Sequence, residues 1–131
     1  MKLVIALGCT ALACGHKHEH EEKGKHTDEE LPGQSVTRWT DKTELFMEYQ
    51  PMIVGKETRF AAHVTIDANG RPVTAGGATI KLVMPGEPAL EGSVKEPSNP
   101  GIFRPTITPT KPGKCTLEMA IAGPQLTDTF S

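Results

Sequence analysis

Four of the chain's five histidines crowd into one short polar stretch, Gly15-His16-Lys17-His18-Glu19-His20-Glu21-Glu22-Lys23-Gly24-Lys25-His26. Neutral imidazole is a borderline donor that suits zinc, copper, nickel and cobalt, and neighbouring carboxylates add oxygen donors and negative charge. His16, His18 and His20 alternate, so in an extended chain they project to one side, and His26 can fold back as a fourth ligand. The expected metal set is therefore His16, His18, His20 and His26. Its affinity is limited by entropy. Ordering each residue costs about 1–2 kcal/mol, and over this span the sum is comparable to the about 10–16 kcal/mol that a structural zinc site returns. The expectation is an exchangeable zinc, copper, nickel or cobalt ion and no tightly bound cofactor. The plain alternative is a hydrophilic spacer whose histidines hold nothing.

What precedes this stretch decides where it works. Met1-Lys2 leads into an uncharged, mainly apolar run over residues 3–14, followed by an abrupt change to charge. Such a run is too short for a membrane-spanning helix, which needs about 20 residues, and it has the form of an export signal. The run ends Ala11-Leu12-Ala13-Cys14-Gly15, which resembles the lipobox of bacterial lipoproteins; Cys9 is a weaker competing site. Residues 1–13 are read as a lipoprotein signal peptide, with Cys14 acylated and anchoring the chain to the inner or outer membrane on its periplasmic side. Ordinary secretion with cleavage near Ala13, or a cytosolic chain with an apolar start, is the competing reading. Residues 14–36 then form an acidic, disordered, His-rich tether with too little apolar surface to fold. Its charge is local: residues 15–30 hold three lysines against six acids, while the whole chain of 131 residues carries only −2. That balance argues against a nucleic-acid partner.

Beyond the tether, 13 glycines, 11 prolines and a 5% aromatic share indicate short strands and many turns. Apolar alternation picks out strands at Thr43–Tyr49, 56–67, 78–84, 90–95, 102–108, 115–121 and 127–131, with turns at Asn69-Gly70, Pro85-Gly86 and Lys111-Pro112-Gly113. Residues 37–131 are accordingly expected to form an all-β domain, an antiparallel immunoglobulin-like β-sandwich of about seven strands.

No nucleophile elbow, P-loop, H-E-x-x-H or metal-spaced cysteine pair occurs in this domain, so no catalytic residue is assigned and no enzyme is expected. Cys115 is in phase with Leu117, Met119 and Ile121 and is expected in the core. Met47, Met52, Met84 and Met119 have the softness to hold copper(I), but Met84 and Met119 sit in phase with core positions, and packing is the preferred reading. His63 falls on the outward side of its strand, where it is either an exposed residue or a further ligand. Trp39 is expected to precede the first strand and cover one end of the sandwich.

Three blocks carry a resemblance. They are Trp39-Thr40-Asp41-Lys42-Thr43-Glu44-Leu45-Phe46-Met47-Glu48-Tyr49, Gly55-Lys56-Glu57-Thr58-Arg59-Phe60-Ala61-Ala62-His63-Val64-Thr65 and Pro100-Gly101-Ile102-Phe103-Arg104-Pro105. Together they resemble the amino-terminal domain of periplasmic adaptor subunits (membrane fusion proteins) of resistance-nodulation-division heavy-metal efflux systems. Gly70-Arg71-Pro72-Val73 followed by Ala78-Thr79-Ile80-Lys81-Leu82 also resembles, more weakly, the small immunoglobulin-like domains of the YtkA type in exported copper-related proteins. The first resemblance implies transmembrane transport of heavy metal, with efflux pump components as partners. A complete adaptor continues into a lipoyl-like domain, a helical hairpin and a barrel, which this chain, ending at Ser131, lacks. Two functions are thereby expected: a membrane-tethered, adaptor-derived accessory that captures metal weakly through its histidines, or a non-catalytic envelope lipoprotein that binds a protein partner and uses the tail as a spacer.

Overall fold

The computed structural model of the chain describes residues 31–131. Residues 1–13, read from sequence as a signal peptide, the expected lipidation site Cys14 and the four histidines of the expected tether, His16, His18, His20 and His26, lie outside the described residues. Every element among the described residues is a strand: β1 (Gln34–Trp39), β2 (Thr43–Tyr49), β3 (Thr58–Ile66), β4 (Arg71–Pro72), β5 (Gly77–Val83), β6 (Leu90–Val94), β7 (Ile102–Phe103), β8 (Thr106–Ile107), β9 (Thr116–Ala122) and β10 (Thr127–Phe130).

The strands form two antiparallel sheets. In the first, β1, β2 and β3 run side by side, and the far edge of β3 is covered in relay by β8, β7 and β4. The second has the order β10-β9-β5-β6. The chain crosses between sheets after β4, after β6 and after β8, and β3 and β9 sit centrally in their sheets. This is the Greek-key connectivity of the immunoglobulin sandwich, with β1 added outside β2.

Period-two patterning explains which faces meet. Leu45 and Met47 on β2, Phe60, Ala62 and Val64 on β3, Ala78, Ile80 and Leu82 on β5, and Met119 and Ile121 on β9 are all buried. Phe103, Ile107 and Phe130 complete the core from the short strands. Along the outer face of the second sheet, Lys81 is paired in register with Glu91 on one side and Glu118 on the other. Its ammonium bonds Glu91 at 2.9 Å, and that carboxylate holds the lysine above its ordinary pKa.

The seven expected strands are all present, with three local differences. The 102–108 strand is interrupted at Arg104-Pro105, because proline has no N–H to give the ladder. The break is bridged by the Pro105 carbonyl, which accepts the Phe60 N–H at 3.0 Å. Gly101, at φ 76°, donates to Val73 O and accepts from the Val64 N–H, both at 2.8 Å, a conformation that favours glycine. The second difference is β1, which opens at Gln34, inside the range read as tether, and pairs through Trp39 with β2. Trp39 closes β1 at 65% exposure and covers no end of the sandwich. The third is Cys115, which is exposed rather than buried. Its partner strand β5 ends at Val83, opposite Thr116, so the ladder stops one residue short of the cysteine despite the in-phase sequence.

Candidate functional site

The two sheets are held together unevenly, and this leaves a region where the core is reachable from outside near several chemically distinctive side chains. At one side of the sandwich β6 presses on β8: a Cβ built on Gly92 would lie 1.8 Å from the Thr106 carbonyl oxygen. At the other side the edges are β1 and β10. Here the sheets are tied at one end by Asp128 of β10, whose carboxylate accepts hydrogen bonds from the hydroxyls of Thr40, in the β1–β2 turn, and Thr43, at the start of β2. Thr43 is fully buried. The Asp128 carboxylate also accepts its neighbour Thr129 N–H at 2.9 Å. Partial burial pushes the Asp128 carboxyl up, but the Thr40, Thr43 and Thr129 hydrogen bonds and nearby Lys42 outweigh it, leaving the group below the ordinary carboxylate range.

Away from that tie the same side of the sandwich encloses a cavity of about 350 Å³. Its walls include Val36 and Arg38 from β1, Met47 from β2, Met119 from β9, and Met52 and Cys115 from the loops that follow β2 and precede β9. A second cavity of about 290 Å³ shares Met52 and Cys115 and adds Met84, Val54 and Lys111. Around its rim Lys111 Nζ bonds Glu87 Oε1 at 2.6 Å, linking the turn after β5 to the one before β9. The walls are mainly apolar, and their distinctive chemistry is sulfur: soft thioether and thiol donors, with hydroxyl and amine groups at the margins.

The residues assigned from sequence are distributed unequally around this edge. The expected metal set His16, His18, His20 and His26 and the expected lipidation site Cys14 fall outside the described residues. His63 is half-buried on the outer face of β3, opposite Phe46 in register, with ring centroids 5.7 Å apart at an interplanar angle of 49°. Among the described residues no group of three or more His, Cys, Asp or Glu side chains is placed to hold a metal ion, at His63 or elsewhere. Met47 and Met119 are buried, as packing predicts. What sequence reasoning missed is that they share a cavity with Met52 and Cys115. The period-two signal says that each points inward, but the opposition of β2 and β9 across the sandwich is a tertiary fact with no local signature. No family model, curated protein or solved structure matches this chain.

Proposed function

We propose that the chain is a membrane-tethered periplasmic accessory, derived from or belonging to a heavy-metal efflux adaptor, that gathers metal ions weakly through His16, His18, His20 and His26. The observation that carries this reading is the placement of four of five histidines among acids directly behind an acylatable Cys14. A carboxylate-rich segment attracts cations, alternating imidazoles ligate them, and the absence of apolar anchors keeps the site exchangeable. The nearly neutral sandwich supplies no competing field, so capture is local to the tether. The role suits handing metal onward rather than holding it.

A specific feature favours a second reading, the envelope lipoprotein that binds a protein partner. The outer edge of β1 is unpaired among the described residues, and exposed Trp39 closes that strand; edge strands of this kind accept an added strand. Deleting residues 15–30 at the native locus separates the two. Raised sensitivity to zinc, copper, nickel or cobalt is the expected result. Unchanged tolerance to all four, with an envelope partner still recovered through the β1 edge, would transfer the case to the second reading.

A further inference from the structure

The large apolar side chains left exposed among the described residues are Leu31 at 49%, Trp39 at 65%, Ile53 at 39% and Val54 at 46%. Three of the four belong to one end of the sandwich. Gln34, at the start of β1, pairs with Tyr49 at the end of β2, so Leu31 precedes β1 at the end where the β2–β3 loop carries Ile53 and Val54. The β5–β6 loop and the segment before β9 meet that loop at the same end. Gly55 N–H donates to the Pro109 carbonyl at 2.9 Å, and Lys111 Nζ bonds Glu87 Oε1 at 2.6 Å, which makes the three loops one bonded tip. Ile53 to Lys56 is a tight turn, closed by the Lys56 N–H on the Ile53 carbonyl at 3.0 Å, with Gly55 at φ 80° in its third position. Turn corners are ordinarily polar, and single exposed apolar residues need no explanation. Two in succession at the corner of a turn call for one.

The charges around this tip are also one-sided. The loops over residues 50–57, 84–89 and 108–115 hold Lys56, Lys111 and Lys114 against Glu57 and Glu87, and all three lysines are exposed. Both glutamates are engaged, Glu57 with Arg59 at 3.7 Å and Glu87 with Lys111. Among the described residues no ion pair takes up Lys56 or Lys114. At the opposite end the balance reverses: residues 40–42, 67–70, 95–101 and 123–126 carry Lys42 and Lys95 against Asp41, Asp67 and Glu96.

We propose that this tip docks on an anionic phospholipid bilayer, with Ile53 and Val54 entering the boundary between headgroups and acyl chains and Lys56, Lys111 and Lys114 lying among the phosphates. Two observations select that occupant. The chain outside the described residues, with its apolar run at 3–14, joins the domain at Leu31, so whatever holds the amino terminus at a membrane presents this end to it. An exposed apolar corner ringed by cations also complements an apolar layer bordered by phosphates, whereas the acidic opposite end does not. Two aliphatic side chains and three lysines are a weak anchor alone, but an anchored chain makes the contact intramolecular and raises its effective concentration. The contact therefore sets orientation, with the strands upright and Trp39 turned away from the bilayer. Docking of this kind rests on the membrane-tethered part of the function proposed above and not on metal capture.

The test uses residues 14–131, which contain every strand and the buried core, with Cys115→Ser. This chain is coupled through the Cys14 thiol to a maleimide phospholipid in phosphatidylcholine vesicles containing phosphatidylglycerol. The coupling supplies the anchor chemically, so the outcome is independent of acylation in the cell, which the fractionation of Cys14→Ser tests separately. Trp39, the only tryptophan, reports the far end; Ile53→Trp in a Trp39→Phe background reports the tip, and Ala68→Trp in the same background is a control in an exposed turn at the far end. Quenching by brominated acyl chains should remove emission from the indole at position 53 and leave those at positions 39 and 68 unaffected. Adding Lys56→Glu and Lys114→Glu should abolish the quenching, since two lysines at an anionic surface together contribute about thirtyfold to the docking equilibrium. All the substituted positions are exposed, and the urea midpoint of each variant checks that the sandwich is intact. An unquenched indole at position 53 would refute docking and leave the turn to a protein partner. Equal quenching at all three positions, or quenching at position 53 that survives reversal of both lysines, would equally overturn it.

Discussion

Replacing Asp128 by alanine should loosen the open edge of the sandwich in a way that depends on pH. The carboxylate accepts the hydroxyls of Thr40 and Thr43 and the Thr129 N–H, and it links β10 to the β1–β2 turn beside the exposed Lys42 Nζ, which donates to the Thr127 carbonyl at 3.3 Å. A hydrogen bond to a charged group contributes about 1.5–3 kcal/mol, and stranding a buried hydroxyl costs about 1–3 kcal/mol. Asp128 is partly exposed and Thr43 keeps a second hydroxyl neighbour in Thr40 at 3.4 Å. The low end is therefore appropriate, about 2 kcal/mol for the whole tie. With a urea m-value of about 1–3 kcal/mol/M, the midpoint should fall by about 0.7–2 M, and the Tm by about 8–16 °C for a domain of this size. Because the folded state holds the Asp128 pKa below its ordinary value, the ionised carboxylate adds stability above the unfolded pKa. That contribution is lost as the pH falls through the folded value. Urea denaturation of the parent chain and Asp128→Ala, followed by circular dichroism from pH 7 down to pH 2, should show a gap that is widest at neutral pH and narrows in acid. A gap below about 0.3 M at pH 7, or one that does not narrow with acid, would refute the assignment of Asp128 as the inter-sheet tie.

Three further outcomes follow from named contacts. Gly92→Ala should cost about 2–3 kcal/mol, since its Cβ would collide with the Thr106 carbonyl and force β6 off β8; the urea midpoint reports it. In a chain with Cys9 and Cys14 changed to serine, Cys115 should react with a chromogenic disulfide reagent at one equivalent without denaturant, because it is exposed. A signal appearing only on unfolding would contradict its position. Cys14→Ser should move the exported chain from the detergent-soluble membrane fraction to the aqueous periplasmic fraction, as expected if acylation is the anchor.

The fold was legible because most of its information is local. Alternation in Thr43–Tyr49 and along Thr58–Ile66 places apolar residues on one face without reference to anything distant. The misjudged positions are those where a partner decides. Cys115 has the right phase, yet β5 has already ended at Val83, so its phase has no ladder to act in. Residues 34–36 look like tether because Gln34, Ser35 and Val36 carry little apolar signal, but β2 offers them a free edge and they pair with Tyr49, Glu48 and Met47. Pro105 breaks a run whose alternation is otherwise intact, because the missing N–H outweighs side-chain patterning. The candidate sites divide in the same way. The tether histidines are a compositional signal and are visible in sequence alone, whereas the cavities lined by Met47, Met52, Met84, Met119 and Cys115 exist only once β2, β5 and β9 have been brought together.

Metal capture by the histidine tether is tested by equilibrium dialysis of zinc(II) against the full chain and against the chain lacking residues 15–30, each at pH 7.5 and pH 5. The expected result is weak, saturable uptake by the full chain at pH 7.5. Uptake should be lost on deletion and lost again at pH 5, where imidazoles of ordinary pKa, about 6.5, are protonated and cannot ligate. Equal zinc uptake with and without residues 15–30, or uptake indifferent to this change of pH, would contradict metal capture by His16, His18, His20 and His26.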